Sequence, residues 1–398
     1  MKILVINCGS SSIKYELFNM DNHTVLTSGV LERIGETKSR LKHKWRTDNG
    51  ELNDKLYEYK VKDHQQAFDL IRQAMRESKV MEDLNELAAV SHRVVHGGEA
   101  FKEPVLIDDT VLQGIKKVSP LAPLHNPANL TGIEIAMKLL PEIAHVAVFD
   151  TAFHQSIPDY AYRYALPEEL YHDHGVRRYG FHGTSHHYVA KQAAHHLNRP
   201  LQSVNLITLH LGNGASAAAI RQGRCVDTSM GLTPLEGLIM GTRSGDIDPA
   251  IPFYLAKHAH LSFEDVDTLL NKQSGLKGIC GFNDMREIHH QAKNGNPAAQ
   301  LAIDMYCYRI KKYLGAYYAA LGRVDAIVFT AGIGENAAFI REKVCEGLNG
   351  LGVHLDSEKN AQRGSDTVDI SAADSPIRLL VIPTDEEWEI AEQTMSFL

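Results

Sequence analysis

Short apolar runs broken by polar turns open the chain. Residues 3–7, 13–19 and 24–34, rich in Ile, Val, Leu and Tyr, predict three successive strands with tight turns, an antiparallel meander. Residues 36–63 are polar, charged and weakly patterned, and predict a surface excursion or flap. Helical spacing follows over 64–78, at Ala67, Leu70, Ile71 and Ala74. "LAAVSHRVVHGG" (87–98) then reads as a strand stopped by two glycines, "NLTGIEIAMKLLP" (129–141) as a helix stopped by proline, and "HVAVFD" (145–150) as a buried strand. Such strand–helix–strand alternation implies parallel pairing.

From residue 205 the pattern returns. "NLITLHLGNGASAAAIRQGRCVDTS" gives a strand, a glycine-rich polar turn, a second strand, a short turn and a third strand, repeating the opening meander. Residues 250–323 are mainly helical, and "VDAIVFTAGIGENAAFIREKV" (324–344) predicts a buried strand, a glycine turn and a helix. A last strand, "IRLLVIP" (377–383), leads to a helix whose apolar positions are Trp388, Ala391, Met395 and Leu398. The simplest architecture is two copies of a meander plus an alternating α/β unit, with a cleft between them. A chain of 398 residues with 44% hydrophobic composition has the length for two or three domains.

Charge and cysteines narrow the class. A net charge of −8 argues against a broad surface for nucleic acid or anionic membrane, since many phosphates need a basic face. An anionic ligand would instead need a few placed cations. The four apolar residues before Asn7 are too short for a signal-peptide core, and no run approaches the roughly 20 apolar residues of a membrane span. The five cysteines lie far apart without a C-x-x-C pair, so neither a disulfide framework nor a zinc knuckle is indicated. A reducing cytoplasm is the expected setting.

The turns "NCGSSSIK" and "HLGNGAS" are built of small and polar residues, which allow backbone N–H groups to approach a phosphate closely. Each taken alone is better read as an ordinary hairpin turn; their matching places in two repeated units favour a phosphate grip. Lys14 follows the first turn, where an ammonium reaches the same anion. "TAGIGEN" matches G-x-G-x-x-A between a strand and a helix, a weak dinucleotide signal this late in a chain, and no P-loop motif occurs. Arg93, on one face with Val95, is either a carboxylate binder beside an apolar plug or half of a structural ion pair. Arg243 sits among small residues and two aspartates in "MGTRSGDIDP", where a salt bridge is the alternative. His182 precedes Gly183 and a Thr or Ser helix cap. Asp150 ends an apolar strand, where open α/β sheets hold ligands, or else caps the next segment. His182 and His186, at i, i+4, are the best metal pair among 21 histidines but lack a third ligand. The carboxylates of "PTDEEWEIA" suit a helix N-terminus or an accompanying Mg²⁺ ion.

In order along nearly the whole length, "INCGSSSIK", "SHRVVHGG", "PLAPLHNP", "FDTAFHQ", "RRYGFHGTSH", "HLGNGAS", "MGLTPLEGLIMGTRSGDIDP", "GFNDMRE", "TAGIGEN" and "PTDEE" resemble the motifs of the acetokinase family, within the actin/sugar-kinase/Hsp70 superfamily. That resemblance implies a duplicated actin-like (ribonuclease H-like) α/β fold in two domains, residues 1–150 with 385–398 and residues 151–384, and an interdomain nucleotide cleft. It implies reversible, Mg²⁺-dependent in-line transfer of the γ-phosphoryl group of ATP to acetate, giving acetyl phosphate and ADP, with Mn²⁺ able to substitute, and a homodimer.

Carried over position by position, the resemblance assigns Asn7 and Glu386 to the metal and Lys14, Ser10 and Ser12 to the phosphates. Arg93 becomes the acetate-carboxylate binder, Asp150 the essential acidic residue, and His182 and Arg243 transition-state stabilisers, with His125 nearby. His210, Leu211, Gly212, Asn213 and Gly214 would touch the nucleotide, as would Asp284, Met285 and Arg286, and Gly332, Ile333, Gly334, Glu335 and Asn336. Val95, Leu124, Phe181 and Pro234 would line the pocket for the substrate methyl. An ionised acid is already the nucleophile, so Asp150 is expected to orient groups or order Mg²⁺ and water rather than remove a proton. Val95 favours acetate over propionate, because a smaller side chain would admit one more methylene. The rivals are propionate kinase, a sugar kinase, and an actin-like nucleotide sensor, which would not need Arg93, His182 and Arg243 together.

Overall fold

Eight strands fall in the first part of the chain: β1 (Lys2–Cys8), β2 (Ser12–Asn19), β3 (Thr24–Glu32), β4 (Ser39–Arg46), β5 (Leu52–Tyr59), β6 (Leu87–Val94), β7 (Val105–Leu106) and β8 (Ala144–Phe149). The computed structural model describes every residue except Asp48, Glu82, Arg363 and Ser365. The strands form one sheet in the order β5-β4-β3-β2-β1-β6-β8-β7, antiparallel through the meander and parallel from β1 to β6 to β8. The stretch expected to be a surface excursion instead forms β4 and β5, which prolong the meander. β4 alternates with period two, but two of its three buried residues, Ser39 and His43, are polar, so the apolar signature is missing. Tyr15 and Ser78 take up the two ring nitrogens of His43, at 2.6 and 3.0 Å.

Alternation along β1 sends Leu4, Ile6 and Cys8 against the helices His64–Glu77 and Asn126–Leu139. Ile3 and Val5 point the other way and pack with Phe18, Val146 and Val148 against Ile390 and Ala391 of the last helix, Glu386–Thr394. That helix therefore covers one face of the first sheet, and the Ser91 and Thr394 hydroxyls meet at 2.6 Å beneath it. The expected apolar stripe on this helix needs correction: Ile390 and Ala391 are buried, whereas Met395 and Leu398 lie past its end and are 40% and 51% exposed.

Six further strands, β9 (Asn205–Leu211), β10 (Ala215–Arg221), β11 (Arg224–Thr228), β12 (Ala326–Thr330), β13 (Val368–Asp369) and β14 (Arg378–Val381), form a second sheet in the order β11-β10-β9-β12-β14-β13. The correspondence is strand for strand. β11-β10-β9 repeats the antiparallel β3-β2-β1, β12 and β14 repeat the parallel β6 and β8, and β13 pairs antiparallel at the edge as β7 does. Two compact units result, Met1–Ala152 with Asp385–Leu398, and Phe153–Thr384.

In the second unit Leu206, Ala218, Ala326, Val328 and Leu380 pack against Val189, Ala190 and Ala193 of the helix Gly183–His196. The N-cap of that helix is His182 itself, at φ 57°, and not the Thr or Ser expected there; Thr184 and Ser185 lie inside its first turn. The expected glycine turn after β12 is also helical, since Ala331–Asn336 follows Thr330 without a gap, entered through Ala331 at φ 63°.

Candidate active site

Period two decides which side chains gather in the first unit. Asn7 continues the Ile3 and Val5 face of β1, and Lys14 on β2 stands directly opposite Asn7 in the register. Arg93 continues the Ser91 face of β6, and Asp150 follows Val146 and Val148 of β8. All four therefore lie toward the face covered by the last helix, whose first residue is Glu386. The Arg93 guanidinium forks onto Asp150, with Nε donating to Oδ1 at 3.1 Å and Nη2 donating to Oδ2, while Nη1 donates to Asn7 Oδ1 at 3.3 Å. Glu386 Oε2 stands 3.9 Å from Arg93 Nε. The structural ion pair weighed for Arg93 thus exists.

Electrostatics in this cluster follow from burial. Burial opposes the charge on Arg93, yet the adjoining Asp150 and Glu386 hold it firmly protonated. Burial pushes the Glu386 carboxyl up to about 7, against the attraction of Arg93, with Asp150 and Glu387 adding repulsion and Lys14 opposing them.

Two asparagines that the sequence reading passed over hold the strand ends. Asn126 Oδ1 accepts from the His96 backbone N–H and its Nδ2 donates to the His96 carbonyl; Asn129 Oδ1 accepts from Val95 N–H and its Nδ2 donates to the Cys8 carbonyl. Both are buried on one helix at i, i+3. The signal was the pair of asparagines in "NPANL", beside a proline that starts a helix. His125 caps the same helix and is half-buried, Val95 is buried, and Leu124 is 66% exposed. In the β1–β2 turn, Gly9 N–H donates to the Ser12 carbonyl at 2.8 Å, His64 Nε2 binds the Gly9 carbonyl at 2.8 Å, and Ser10 is exposed.

A second group assembles within the second unit. Leu206, Thr208 and His210 on β9, and Ser216 and Ala218 on β10, share the face toward the helix Gly183–His196. His210 stacks on His182 with ring centroids 4.2 Å apart. Residues 211–214 form a tight turn in which Gly212 N–H donates to the Gly214 carbonyl at 3.0 Å, and the Asn213 carbonyl accepts from Gly241 N–H at 2.9 Å. A Cβ on Gly241 would lie 2.0 Å from Asn213 Oδ1, so glycine there permits the close approach. A Cβ on Gly214 would lie 3.5 Å from Arg243 Nη1 and 3.6 Å from His182 Nε2, so these two groups border one spot. Arg243 Nη1 donates to the Pro234 carbonyl at 3.2 Å and contacts Met240 Sδ at 3.6 Å. Among the described residues no carboxylate pairs with it, and burial alone lowers its pKa. The salt bridge considered for Arg243 is not found among the described residues.

Asp284 caps the helix Met285–Lys293 and receives both Nε and Nη2 of the exposed Arg286, while Met285 is buried. Around Gly332–Asn336, Glu335 Oε1 accepts from Thr384 N–H at 3.2 Å, and the buried Arg341 Nη1 donates to the Gly334 and Glu335 carbonyls at 2.9 Å each. Arg341 was not foreseen, because one arginine inside a helical pattern carries no mark of burial. Phe181 is buried, with its carbonyl 2.9 Å from His154 Nε2, and Pro234 is half-buried.

The sequence model described as the acetokinase family matches residues 2–392. The acetate kinase of Syntrophobacter fumaroxidans is 56% identical over 396 residues, 99% of this chain and 96% of that protein. The crystal structure of Porphyromonas gingivalis acetate kinase matches with a TM-score of 0.94 at 47% identity, over 99% of both chains. A propionate kinase from Francisella tularensis matches with a TM-score of 0.91 at 43% identity, over 98% of both. The fold is the duplicated actin-like α/β arrangement, and the chain belongs to the acetokinase family.

Proposed function

We propose that this chain is an acetate kinase that moves the γ-phosphoryl group between ATP and acetate. The observation that carries the reading is Arg243, a half-buried guanidinium without a carboxylate beside His182 and an open glycine spot. A charge held this way is destabilising unless an anion visits it, and a phosphoryl group in flight is such an anion.

In this reading the two groups of residues serve one transfer. Arg93, oriented by its fork on Asp150, presents its remaining N–H surface to the acetate carboxylate, and Lys14 offsets the repulsion between two anions. The ionised acid attacks phosphorus in line and ADP leaves, so no base is required and Asp150 acts by positioning Arg93. His182 and Arg243 donate to the equatorial oxygens as charge spreads over them. The backbone turns at 210–214 and 332–336, with Asp284–Arg286, hold the nucleotide; Ser10 and Ser12 hold its phosphates.

Asn7 and Glu386 offer oxygen donors, the ligand type Mg²⁺ prefers, and among the described residues there is no cluster of three or more His, Cys, Asp or Glu suited to a metal. Mg²⁺ typically takes one or two protein oxygens and completes its shell with water and phosphate, so this donor set fits. When bound, the ion would draw charge from the phosphate oxygens.

Val95, Leu124, Phe181 and Pro234 are proposed to take the acetate methyl. A homodimer is supported by exposed apolar side chains on the second unit, among them Phe253, Tyr254 and Phe263. Among the described residues no helix is long and apolar enough to cross a membrane, which is compatible with the proposed cytoplasmic setting. The test is ADP formation with Mg²⁺-ATP and acetate, propionate, butyrate or glycerol at equal concentration. Acetate should give the highest kcat/KM and glycerol none; ADP formation indifferent to the acid would end the reading.

A further inference from the structure

Asp246, one of the two aspartates that follow Arg243 in the sequence, closes the loop that carries that arginine. Its Oδ1 accepts from the Gly237 N–H at 2.8 Å, and its own N–H donates to the Gly237 carbonyl at 3.0 Å, a reciprocal pair that draws the two arms into one neck. The neck is fastened to the helix Pro297–Leu321. Arg309 Nη1 donates to the Gly237 carbonyl at 2.7 Å and Nη2 to the Asp246 carbonyl at 3.1 Å, while the Tyr313 hydroxyl, about one turn on, donates to Asp246 Oδ2 at 2.8 Å. Gly245 lies at φ 65°, and a Cβ there would stand 2.4 Å from the carbonyl oxygens of Gly237 and Leu238, so the arms close this tightly because one of them has no side chain.

Arg243 takes its place from backbone groups. Its Nη1 is held by the Pro234 carbonyl at 3.2 Å and by a longer contact with Met240 Sδ at 3.6 Å, both neutral. Pro234 stands on the arm that leads to Gly237, and Arg243 on the arm that leads to Asp246. The first arm is anchored through Glu236, whose Oε1 accepts from Arg178 Nη2 at 2.7 Å and whose Oε2 accepts from the Tyr164 hydroxyl at 2.5 Å. The tip of the loop is anchored elsewhere, with Ser274 N–H donating to the Thr242 carbonyl at 3.0 Å and Leu276 N–H to the Met240 carbonyl at 2.9 Å. Two separately anchored pieces thus meet at the Arg243 guanidinium, and the neck is the part that keeps them in register.

We infer that Asp246 is a positioning residue: by pinning the neck of the Gly237–Asp246 loop it holds the Arg243 guanidinium at the Gly214 spot. This rests on Arg243 acting in the phosphoryl transfer proposed above. Losing the carboxylate leaves Gly237 N–H and the Tyr313 hydroxyl without their acceptor, and the arm carrying Pro234 shifts against the tip carrying Arg243. A displacement of about 1 Å is enough to cost a positioned group about a hundredfold in rate. An asparagine keeps the oxygen that Gly237 N–H needs, and its amide can donate to the Tyr313 hydroxyl, so the neck survives that exchange.

The test joins a double-mutant cycle to hydrogen exchange, both on the full-length protein. With acetate and Mg²⁺-ATP, kcat of Asp246→Ala should fall about 10- to 100-fold with the acetate KM held within about twofold, and Asp246→Asn should stay within about threefold of the unsubstituted enzyme. Against the residual rate of Arg243→Met, measured at high enzyme concentration, Asp246→Ala should cost less than about twofold, because the group it positions is already gone. Amide exchange read by mass spectrometry should quicken over Gly237–Asp246 in Asp246→Ala and not in Asp246→Asn. Should Asp246→Ala not fold, Tyr313→Phe carries the same comparison, with a loss of about threefold that vanishes in the Arg243→Met background. Equal losses in the two backgrounds, unchanged exchange over the loop in Asp246→Ala, or an Asp246→Asn enzyme as slow as Asp246→Ala would overturn the inference. Failure of acid-dependent ADP formation in the unsubstituted protein would remove the proposed function, while the exchange result would still report on the neck.

Discussion

Gly214→Ala separates the chemistry from the fold. The added methyl meets Arg243 Nη1 at 3.5 Å and His182 Cε1 and Nε2 at 3.6 Å, which is ordinary van der Waals contact. Gly214 does not occupy the positive-φ region, so alanine brings no backbone strain. The folding cost should stay below about 1 kcal/mol, and the Tm shift within about 4 °C. An oxygen accepting from both donors must stand about 3 Å from each, in the volume the methyl now fills. Removing one such donor costs roughly 100- to 1,000-fold in kcat, about 2.7–4 kcal/mol, and here both are obstructed. The assay is steady-state ADP release with acetate, beside a thermal melt, with Gly315→Ala as control. Gly315 lies inside the helix Pro297–Leu321 with nothing within 4 Å of its added Cβ, so its variant should keep full activity and gain up to about 1 kcal/mol. A Gly214→Ala protein with near-normal kcat would refute the placement of transition-state charge beside His182 and Arg243.

Three other outcomes are expected. Arg243→Met should abolish turnover by about a thousandfold or more while leaving Tm unchanged or higher, because it removes a half-buried charge that no carboxylate balances; a clear drop in Tm would contradict that electrostatic picture. Val95→Ala should narrow the ratio of kcat/KM for acetate over propionate by about 1–3 kcal/mol, and an unchanged ratio would remove Val95 from the pocket. His43 and His154 are fully buried and their pKa values are lowered to about 4. Between pH 6.5 and 4 the unfolded chain binds protons that the folded chain refuses, so stability is constant above 6.5 and falls below it at about 1.4 kcal/mol per pH unit for each histidine, some 3 kcal/mol each by pH 4. Urea midpoints measured from pH 8 to 4.5 should show this slope, and His43→Gln should lessen it; a flat profile would mean that these rings charge freely in the folded state.

The repeated meander was legible because its strands are apolar on both faces of a covered sheet: Leu4 and Ile6 against one set of helices, Ile3 and Val5 against another. β4 was not, because Ser39 and His43 occupy inward positions where apolar residues would have marked the period. The helical nature of Ala331–Asn336 was hidden by two glycines that usually announce a turn, and the His182 cap by a left-handed backbone that histidine seldom adopts. Arg93 and Asp150 were both singled out, but their fork depends on the register of β6 with β8, which no local pattern encodes. The supporting groups, Asn126, Asn129 and Arg341, share one trait: they are small or solitary polar residues whose importance comes from burial, and burial of a polar side chain leaves no periodic trace.

The central claim is that a carboxylate oxygen of acetate becomes bonded to the phosphorus of ATP. Phosphorus NMR of acetyl phosphate formed from Mg²⁺-ATP and acetate labelled with ¹⁸O in both carboxylate oxygens tests it directly. The account predicts an isotope-shifted acetyl phosphate signal from ¹⁸O in the bridge between carbon and phosphorus, and no shift in the ADP formed beside it. An unshifted product, or ADP appearing without acetyl phosphate, would contradict it.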